Sequence, residues 1–539
     1  MGVVGHMVRL LRAGRLLARL DGLLPPDFER DAPPVARMGR ALLRLRLPFE
    51  AGDAGPLQEN GAADPLSAAM RALGPSYIKL GQFLATRPDL IGPDLAGRFS
   101  ALQDRLAPFS QEEAVATVEA EFGVPLDHLF ADFGPAVAAA SIAQVHKARA
   151  VACDEVEDGG APAGCDLAVK ILRPGIEAQF ARDLDSFFWA ARLAERWHKP
   201  VRRLRPVASV QTLADSVTLE MDLRLEAAAL SEMAENTRHD TGFRVPAVDW
   251  QRTSQRVLTL EWVDGIKASD RGALVDAGHD MAKLGTRVIQ SFLTHALRDG
   301  FFHADMHQGN LFVEPDGTIV AVDLGIMGRL DAAQRKFLAD ILFGFIQRDY
   351  TRVAEVHFEA GFVPRSKPVH GFAQALRAIG EPIFGRSARD VSMGRLLAQL
   401  FQVTDQFDMA TRPELLLLQK TMVVVEGVAR HFDPDHNIWD SAEPVLKDWM
   451  ENQFSPEARL QEAATGAAAL GRAMSHFPEL LTHAERAAHL LQDADESGLK
   501  LHPETAEAIG KAQSRQDWQR GALWVGAGAL VLIALSLIF

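Results

Sequence analysis

Cysteine is scarce in this chain, with only Cys153 and Cys165 among 539 residues, and both lie in an acidic, glycine-rich insertion. A disulfide framework needs an oxidising compartment, and a structural metal site needs more ligands. We therefore expect two reduced thiols in a cytoplasmic loop.

Internal repeats are also lacking. A secretory signal is excluded because the N-terminus has no uninterrupted apolar stretch followed by a cleavage site. The length still allows two or more structural units with a sizeable core.

Charge is lacking from one long stretch, Gly521–Phe539, where 19 consecutive residues are uncharged. As a helix this stretch would be roughly 28 Å long, enough to cross the hydrocarbon core of a membrane. Trp518 and Trp524 bracket its entry, and Arg515 and Arg520 precede it as a cytoplasmic flank would. The pattern predicts a single transmembrane helix near the C-terminus, with the large domain in the cytoplasm. A buried terminal helix is the alternative.

Acidic residues exceed basic ones overall, giving a net charge of −14, but the first 46 residues contain nine arginines and only four acids. Four of these arginines share one arc of a predicted helix over residues 3–20, namely Arg9, Arg12, Arg15 and Arg19. A peripheral helix on anionic lipid and a solvated helix both fit this pattern. We expect no nucleic acid among the partners of the chain.

The strongest chemical signal is a carboxylate, an amide and a second carboxylate in a fixed order. Asp305 stands in a His-Ala-Asp sequence, and Asn310 follows five residues later, which is the spacing of a kinase catalytic loop. Apolar residues at 311–313 and 318–322 predict a hairpin around a Pro-Asp-Gly turn. The hairpin would deliver Asp323 close to Asn310. We predict that Asp305 is catalytic and that Asn310 and Asp323 hold Mg²⁺ on the phosphates of ATP.

An ATP site also needs groups that hold the phosphates, and the sequence offers candidates upstream. Lys170 lies in a short apolar run that matches the strand whose lysine holds the α- and β-phosphates. The expected glycine-rich loop is replaced by a run of small residues that should be stiffer, because alanine restricts φ where glycine does not. The predicted nucleotide-binding residues of this loop are Ala138, Ala139, Ala140, Ser141, Ile142, Ala143, Gln144 and Val145.

Two further segments fit the same site. A long helical segment is predicted to run through residues 220–226. It carries Glu220, the candidate partner of Lys170, although a solvated acidic face is the alternative. Glu261 and Val263 follow a short strand and resemble the hinge whose backbone would meet adenine.

Together these motifs resemble the UbiB family of atypical kinases. The resemblance rests on the alanine-rich loop, on a Glu-x-Asp-x-Arg-x-Glu segment ending at Glu226, on the catalytic loop, and on an N-terminal Lys-x-Gly-Gln motif. It implies regulatory roles for Lys79, Gly81, Gln82 and Glu226, with the motif lying against the nucleotide site. Gln308 stands where proline is usual, and Leu324 replaces the aromatic residue of Asp-Phe-Gly. Neither change removes a metal ligand.

The expected fold is α+β, with a small β-rich N-lobe, a helical C-lobe, a helical N-terminal extension and a C-terminal transmembrane helix. Helical patterns cover 65–73, 76–86, 282–297, 332–347, 350–360 and 413–431. The predicted regions are a basic helical region at 1–60, the Lys-x-Gly-Gln extension at 61–124, the N-lobe at 125–265, the C-lobe at 266–440, a helical linker at 441–520 and the anchor at 521–539.

The sequence after Asp323 bears on the substrate. A protein kinase places a long activation segment there, whereas this chain passes directly into a helix at about Asp331. The resemblance implies an Mg-ATP-dependent ATPase or small-molecule kinase that supports ubiquinone biosynthesis at the inner membrane and acts on or mobilises polyprenylphenol intermediates. Membrane lipid and other quinone-biosynthesis enzymes are the expected partners. A protein kinase acting on a biosynthetic partner and a non-catalytic nucleotide-binding scaffold remain open.

Overall fold

The structure is a computed structural model, and it describes residues 3–18, 65–85, 87, 91, 93–100, 106–151, 164–197, 205–382, 403, 406–409 and 413–453. The chain divides into two compact units, Met1–Met450 and Glu451–Phe539. Nearly all described residues belong to the first. Cys153, the linker beyond Gln453 and the predicted anchor at 521–539 lie outside the described residues. Cys165 is described and carries a free, exposed thiol.

The α-helices of the described residues are α1 Val3–Ala18, α2 Pro65–Leu73, α3 Pro75–Ala85, α4 Pro93–Ser100, α5 Gln111–Phe122, α6 Ile176–Trp197, α7 Pro206–Glu220, α8 Leu223–Asn236, α9 Arg271–Asp276, α10 Met281–Thr294, α11 Ala332–Ile346, α12 Tyr350–Glu359, α13 Val369–Gly380, α14 Pro413–Phe432 and α15 Ile438–Gln453. A π-helical turn, His295–Asp299, extends α10.

The strands are β1 Phe130–Ala139, β2 Ala143–Ala150, β3 Asp166–Leu172, β4 Phe243–Arg244, β5 Val257–Glu261, β6 Ile266–Lys267, β7 Phe301–His303, β8 Leu311–Val313, β9 Ile319–Ala321 and β10 Met327–Arg329. They form an antiparallel sheet in the order β1-β2-β3-β5, a mixed sheet in the order β4-β9-β8-β6, and a pair of β10 with β7.

The helices predicted from periodicity are confirmed with small shifts at their ends. Gly74 separates α2 from α3 with a φ of 100°, a left-handed backbone that glycine adopts without steric cost. The helix predicted at 282–297 corresponds to α10 and the π-helical turn after it. Asp331 caps α11 by accepting a hydrogen bond from the backbone N–H of Gln334, as the acidic residue before that apolar run suggests.

The prediction of one continuous helix across residues 220–226 is wrong. The backbone breaks at Met221, and the Asp222 side chain accepts a hydrogen bond from the backbone N–H of Arg224, which starts α8 as a new helix. Aspartate favours this N-cap position because its carboxylate satisfies a backbone N–H that has no partner within the helix. The break lets Glu220 and Glu226 point to different partners.

The four-stranded sheet β1-β2-β3-β5 orients Lys170 by simple alternation. In β3 the side chains of Leu167, Val169 and Ile171 are fully buried against α5, in a cluster that also contains Ala114 and Val118 of that helix. Side chains alternate between the two faces of a strand, so Lys170 points to the opposite face, on the side of α8.

The predicted hairpin at 311–322 is confirmed. Strands β8 and β9 pair antiparallel, and Gly317 in their turn has a φ of 83°. After β9 the chain reverses into β10, which pairs with β7 on the N-terminal side of Asp305. The two segments that carry Asp305 and Asp323 are therefore held together by four short strands, β7, β8, β9 and β10.

The N-terminal helix α1 packs on α6 through the polar groups that the sequence left ambiguous. Arg9 donates a hydrogen bond to the carbonyl of Arg182 at 2.9 Å and lies 3.8 Å from the carboxylate of Asp183. His6 is buried, lies 3.2 Å from the Ser186 hydroxyl and stacks on Trp189. At least part of the arginine arc thus serves contacts inside the protein.

Among the helices that the structure describes, none is both long and apolar enough to cross a membrane. The stretch at 521–539, for which a transmembrane helix is predicted, lies outside the described residues.

Candidate active site

Lys170 lies between two carboxylates that come from distant parts of the chain. Its ammonium is 2.8 and 2.9 Å from the two oxygens of Glu226 in α8, and 3.0 Å from Oδ2 of Asp323. Glu226 is only 6% exposed and Lys170 16%, whereas the Asp323 side chain is 42% exposed. The Lys170–Glu226 pair is therefore the buried part of the site, and Asp323 is the more exposed part.

The pKa values of Glu226 and Asp323 are shifted in opposite directions, although both carboxylates contact the ammonium of Lys170. Burial raises the pKa of Glu226 to about 7, against the opposing charge of Lys170 and with the help of the negative charge of Asp323. Burial also acts to raise the pKa of Asp323, but the charge of Lys170 and its hydrogen bond hold that pKa well below its usual range. Desolvation acts to lower the pKa of Lys170, and the charges of Asp323 and Glu226 outweigh it and raise this pKa.

Asp305 begins the loop between β7 and β8. Its backbone N–H donates to Nδ1 of His303 at 3.3 Å, and its carbonyl accepts from the side-chain amide of Asn310 at 3.4 Å. His303 is buried, and this burial lowers its pKa, so it is a neutral support for the loop at pH 7. The Asp305 carboxylate is about a third exposed, with His307 Nε2 3.7 Å away.

Asn310 and Asp323 are brought together by the base of the hairpin. The backbone N–H of Val322 donates to the carbonyl of Asn310 at 3.0 Å, which extends the β8–β9 ladder by one bond. Asp323 is the next residue, and its Oδ1 accepts from the backbone N–H of Gly325 at 3.1 Å. The hairpin thus brings the backbone of Asp323 beside that of Asn310, as the sequence indicated; that the two side chains hold one metal ion stays a prediction.

The small-residue segment 138–145 is a hairpin end. Ala139 pairs with Gln144 across β1 and β2, and the N–H of Ala140 donates to the carbonyl of Ala143 at 2.8 Å. The guanidinium of Arg173 donates to the Ala140 carbonyl at 3.0 Å and so fixes the tip. Val145 lies directly opposite Lys170 in the sheet. The segment is thereby placed beside Lys170, and these hydrogen bonds add to the restriction that alanine puts on φ.

The predicted hinge lies at the end of β5 and is tied to the hairpin by an arginine. Arg244 of β4 donates to both oxygens of Glu261 at 2.9 Å and also to Glu314 at 2.6 and 3.0 Å. The side chain of Glu261 is therefore committed to Arg244, and any adenine contact at this residue would come from its backbone. Val263 lies in the segment between β5 and β6.

The partners of Glu220 and Glu226 in the structure differ from those that the sequence suggested. Glu220, expected to pair with Lys170, instead lies 2.5 Å from the ammonium of Lys79 in α3, and both side chains are about seven-eighths buried. Glu226, expected to be regulatory, is the partner of Lys170. Asp222 was the sequence signal for this difference, because an N-cap at that position starts a new helix and so changes the direction in which Glu226 points.

One group near the loop has no local sequence signal. Lys420 of α14 places its ammonium 3.6 Å from Oδ1 of Asp305, and the hydroxyl of the adjacent Thr421 lies 3.0 Å from the carbonyl of Ala304. These contacts span more than a hundred residues, so only the packing of α14 reveals them. Gly81 is buried within α3, and Gln82 is half-buried in the same helix.

Two family models match the chain. The ABC1 atypical kinase-like domain matches residues 101–357, which contain every site residue from Ala138 to Asp323, and the UbiB helical domain matches residues 376–437, which contain Lys420. The fold and these matches define a kinase-like domain of atypical class.

Curated relatives agree over most of the chain. A protein of Marinobacter nauticus named "Probable protein kinase UbiB" is 36% identical over 496 residues, covering 90% of this chain and 86% of the relative. A Pseudomonas putida protein of the same name is 38% identical over 84% of this chain and 81% of the relative. A solved complex of Rv3197 with erythromycin from Mycobacterium tuberculosis covers 68% of this chain, with 23% identity and a TM-score of 0.47. The chain belongs to the UbiB family.

Proposed function

We propose that this chain binds Mg-ATP in the cleft lined by Lys170, Asp305, Asn310 and Asp323 and transfers or hydrolyses its terminal phosphoryl group. The observation that carries the proposal is the meeting of Lys170 with Asp323, 153 positions apart in sequence, at 3.0 Å, while Glu226 holds the lysine from behind. A lysine held by a helix glutamate and facing an aspartate at a hairpin end is the arrangement that positions nucleotide phosphates and their metal.

Asn310 and Asp323 fit a magnesium ion by their chemistry. Mg²⁺ prefers oxygen ligands and usually takes one or two carboxylates together with substrate phosphates. The amide nitrogen of Asn310 is turned toward the Asp305 carbonyl, which directs the amide oxygen elsewhere, and the Asp323 side chain is 42% exposed. When bound, the ion would neutralise the phosphates. Lys170 would hold the nucleotide, and Asp305 would accept the proton of the attacking hydroxyl or water.

The acceptor is proposed to be water or a small molecule. Only β10 and a capped helix start follow Asp323 and Gly325 before α11, and β10 is bound to β7, so the described residues contain no long segment after Gly325 on which a peptide could dock. The family resemblance supports a role in ubiquinone biosynthesis at the membrane, with polyprenylphenol intermediates as the lipid involved. Quinone-biosynthesis enzymes are proposed partners on the same ground.

The test is ATP turnover by the purified full chain, with and without vesicles that contain a polyprenylphenol, with the phosphorylated products identified. We expect ATP hydrolysis that rises in the presence of the lipid. Asp323→Asn should reduce turnover about a hundredfold or more, because it removes a charge beside the dication. Asp316→Asn, which removes the same charge from the far end of the hairpin, is the matched control. Turnover by Asp323→Asn within about twofold of wild type would contradict the assignment.

A further inference from the structure

Helix α14 of the UbiB helical domain reaches the backbone of the catalytic loop. The hydroxyl of Thr421, which is completely buried, lies 3.0 Å from the carbonyl of Ala304 and 2.7 Å from the carbonyl of Leu417. Ala304 in turn donates its N–H to the Ile326 carbonyl, between β7 and β10. Thr421 of α14 therefore lies against the residue that immediately precedes Asp305.

This contact brings the neighbouring Lys420 to the mouth of the site. Its ammonium lies 3.6 Å from Oδ1 of Asp305, and the two side chains are 38% and 31% exposed. This separation exceeds the roughly 3.2 Å limit of a good N–H···O hydrogen bond. Asp305 therefore attracts the ammonium by charge but does not take up its donors at hydrogen-bond distance. An ammonium has three donors and no acceptor, and it binds phosphate as a compact point charge.

The charges of the site suggest what Lys420 does. Lys170 is already shared between Glu226 and Asp323, on the inner side of the cleft. Asp305 is a third carboxylate, and under the proposed function it lies where a transferring phosphoryl group would meet its acceptor. A phosphoryl group carries negative charge over its equatorial oxygens, so a carboxylate facing it alone would oppose its approach.

We propose that Lys420 binds an oxygen of the γ-phosphoryl group of ATP beside Asp305, so that the helical domain contributes a catalytic residue. This inference rests on the proposed function. In the step, the bond from the γ-phosphorus to the β,γ-bridging oxygen breaks, and a bond to the acceptor oxygen forms. The acceptor proton passes to Asp305, ADP leaves, and Lys420 keeps its proton throughout. Preorganised positive charge at such a place stabilises the transition state more than the ground state.

The test separates a phosphate contact from a merely structural ion pair. Lys420→Met keeps the aliphatic stem and removes the charge, and Lys447→Met on α15, also exposed, is the matched control. In the full chain with Mg²⁺, the affinities for ADP and for the β,γ-imido analogue of ATP are measured, together with kcat for ATP. We expect Lys420→Met to weaken analogue binding about tenfold, to leave ADP binding within twofold, and to lower kcat at least tenfold. Lys420→Arg should recover part of kcat, because it restores the charge.

Several results would overturn the inference. Equal losses of analogue and ADP affinity would show that Lys420 supports the fold of the site rather than the γ-phosphoryl group. A kcat within twofold of wild type would remove it from the reaction. A wild-type chain that binds neither nucleotide would contradict the proposed function itself, whereas normal wild-type binding and turnover with an unaltered Lys420→Met would contradict this assignment alone.

Discussion

At the scale of single residues, the site depends on a lysine that neutralises two carboxylates unequally. Lys170 contacts both oxygens of buried Glu226 but only one oxygen of Asp323, which keeps its other oxygen on the Gly325 amide. Burial raises the pKa of Glu226 to about 7, whereas the charge of Lys170 and its hydrogen bond hold the pKa of Asp323 low. Within the Lys170–Glu226 pair, Glu226 is consequently the group that titrates near neutral pH.

This difference predicts a pH dependence. Below pH 7 Glu226 becomes protonated and no longer holds Lys170 by charge, so kcat/KM for ATP should fall as the pH is lowered, to about one tenth of its plateau near pH 6. The value of kcat/KM reports ionisation of the free enzyme, so the measurement is its profile from pH 6 to 8.5.

Glu226→Gln should have lower activity and no such limb, because the amide does not titrate. Glu232→Gln on the same helix, where Glu232 pairs with exposed Arg329, is the control and should retain the wild-type profile. A wild-type profile that is flat between pH 6 and 8 would refute the role of Glu226.

A second prediction concerns Gly328 of β10. A Cβ there would overlap the ring of Phe302, which is 1% exposed and packs edge-on against Phe292. Gly328→Ala should therefore destabilise the protein by about 1–3 kcal/mol, the usual range for overpacking a core. Gly427→Ala in α14 has open space around its Cβ and should be neutral or stabilising by up to about 1 kcal/mol. Urea unfolding measures both, and equal stabilities would contradict the packing argument.

At the scale of elements, α3 of the N-terminal extension is joined to the site through the break between α7 and α8. Lys79 pairs with Glu220 at the last residue of α7, and Glu226 follows in the first turns of α8. A shift of α3 would therefore act on the end of α7 and, through the two-residue break, on the glutamate that holds Lys170.

The pairing of Lys79 with Glu220, which is the first step of this connection, can be tested by substitution. Lys79→Met leaves Glu220 buried without its cation and should destabilise the protein by about 3–5 kcal/mol. The double variant Lys79→Met/Glu220→Gln removes both charges and should recover most of that loss. Unfolding free energies of the two single variants and the double variant give the coupling. Additive losses would show that the two groups do not interact in solution.

At the scale of the whole molecule, Arg244 links the end of β5 to the hairpin that delivers Asp323. It holds Glu261 on one side and Glu314 on the other, in a network that is one-fifth to two-fifths exposed. The sheet that carries Lys170 and the hairpin that carries Asp323 are thereby fastened on the side away from the Lys170–Asp323 contact. The sheet and the hairpin are thus joined at two separate places, by Arg244 and by the Lys170–Asp323 contact.

Attachment to a membrane is the remaining prediction at this scale. Removing residues 521–539 deletes the uncharged segment, and insertion of such a segment is far stronger than electrostatic attachment of an arginine-rich helix. The truncated chain should become extractable by high salt, since electrostatic attachment is screened over about 8 Å at physiological ionic strength. Fractionation of membranes from cells expressing each form measures this. A truncated chain that still needs detergent would show that the main attachment lies elsewhere.

The sequence by itself determined most elements and the order of the site. The spacing from Asp305 to Asn310, the turn at Gly317 and the apolar strands around it are local signals, and local signals specify local structure. They sufficed to place Asn310 next to Asp323, because a hairpin joins its two ends wherever it lies in the fold. The alternation in β3 likewise sufficed to turn Lys170 away from its apolar neighbours.

Only the tertiary structure decided which groups meet across long distances. Lys170 pairs with Glu226 and not with Glu220 because the helix breaks between them. The capping residue Asp222 could be recognised in the sequence, but the direction of the helix after the break could not. The contact of Lys420 with Asp305 depended on how α14 packs against the catalytic loop, where the buried hydroxyl of Thr421 lies against the carbonyl of Ala304. Such contacts arise from the burial of whole faces of helices and sheets, and no short pattern around Lys420 encodes its partner.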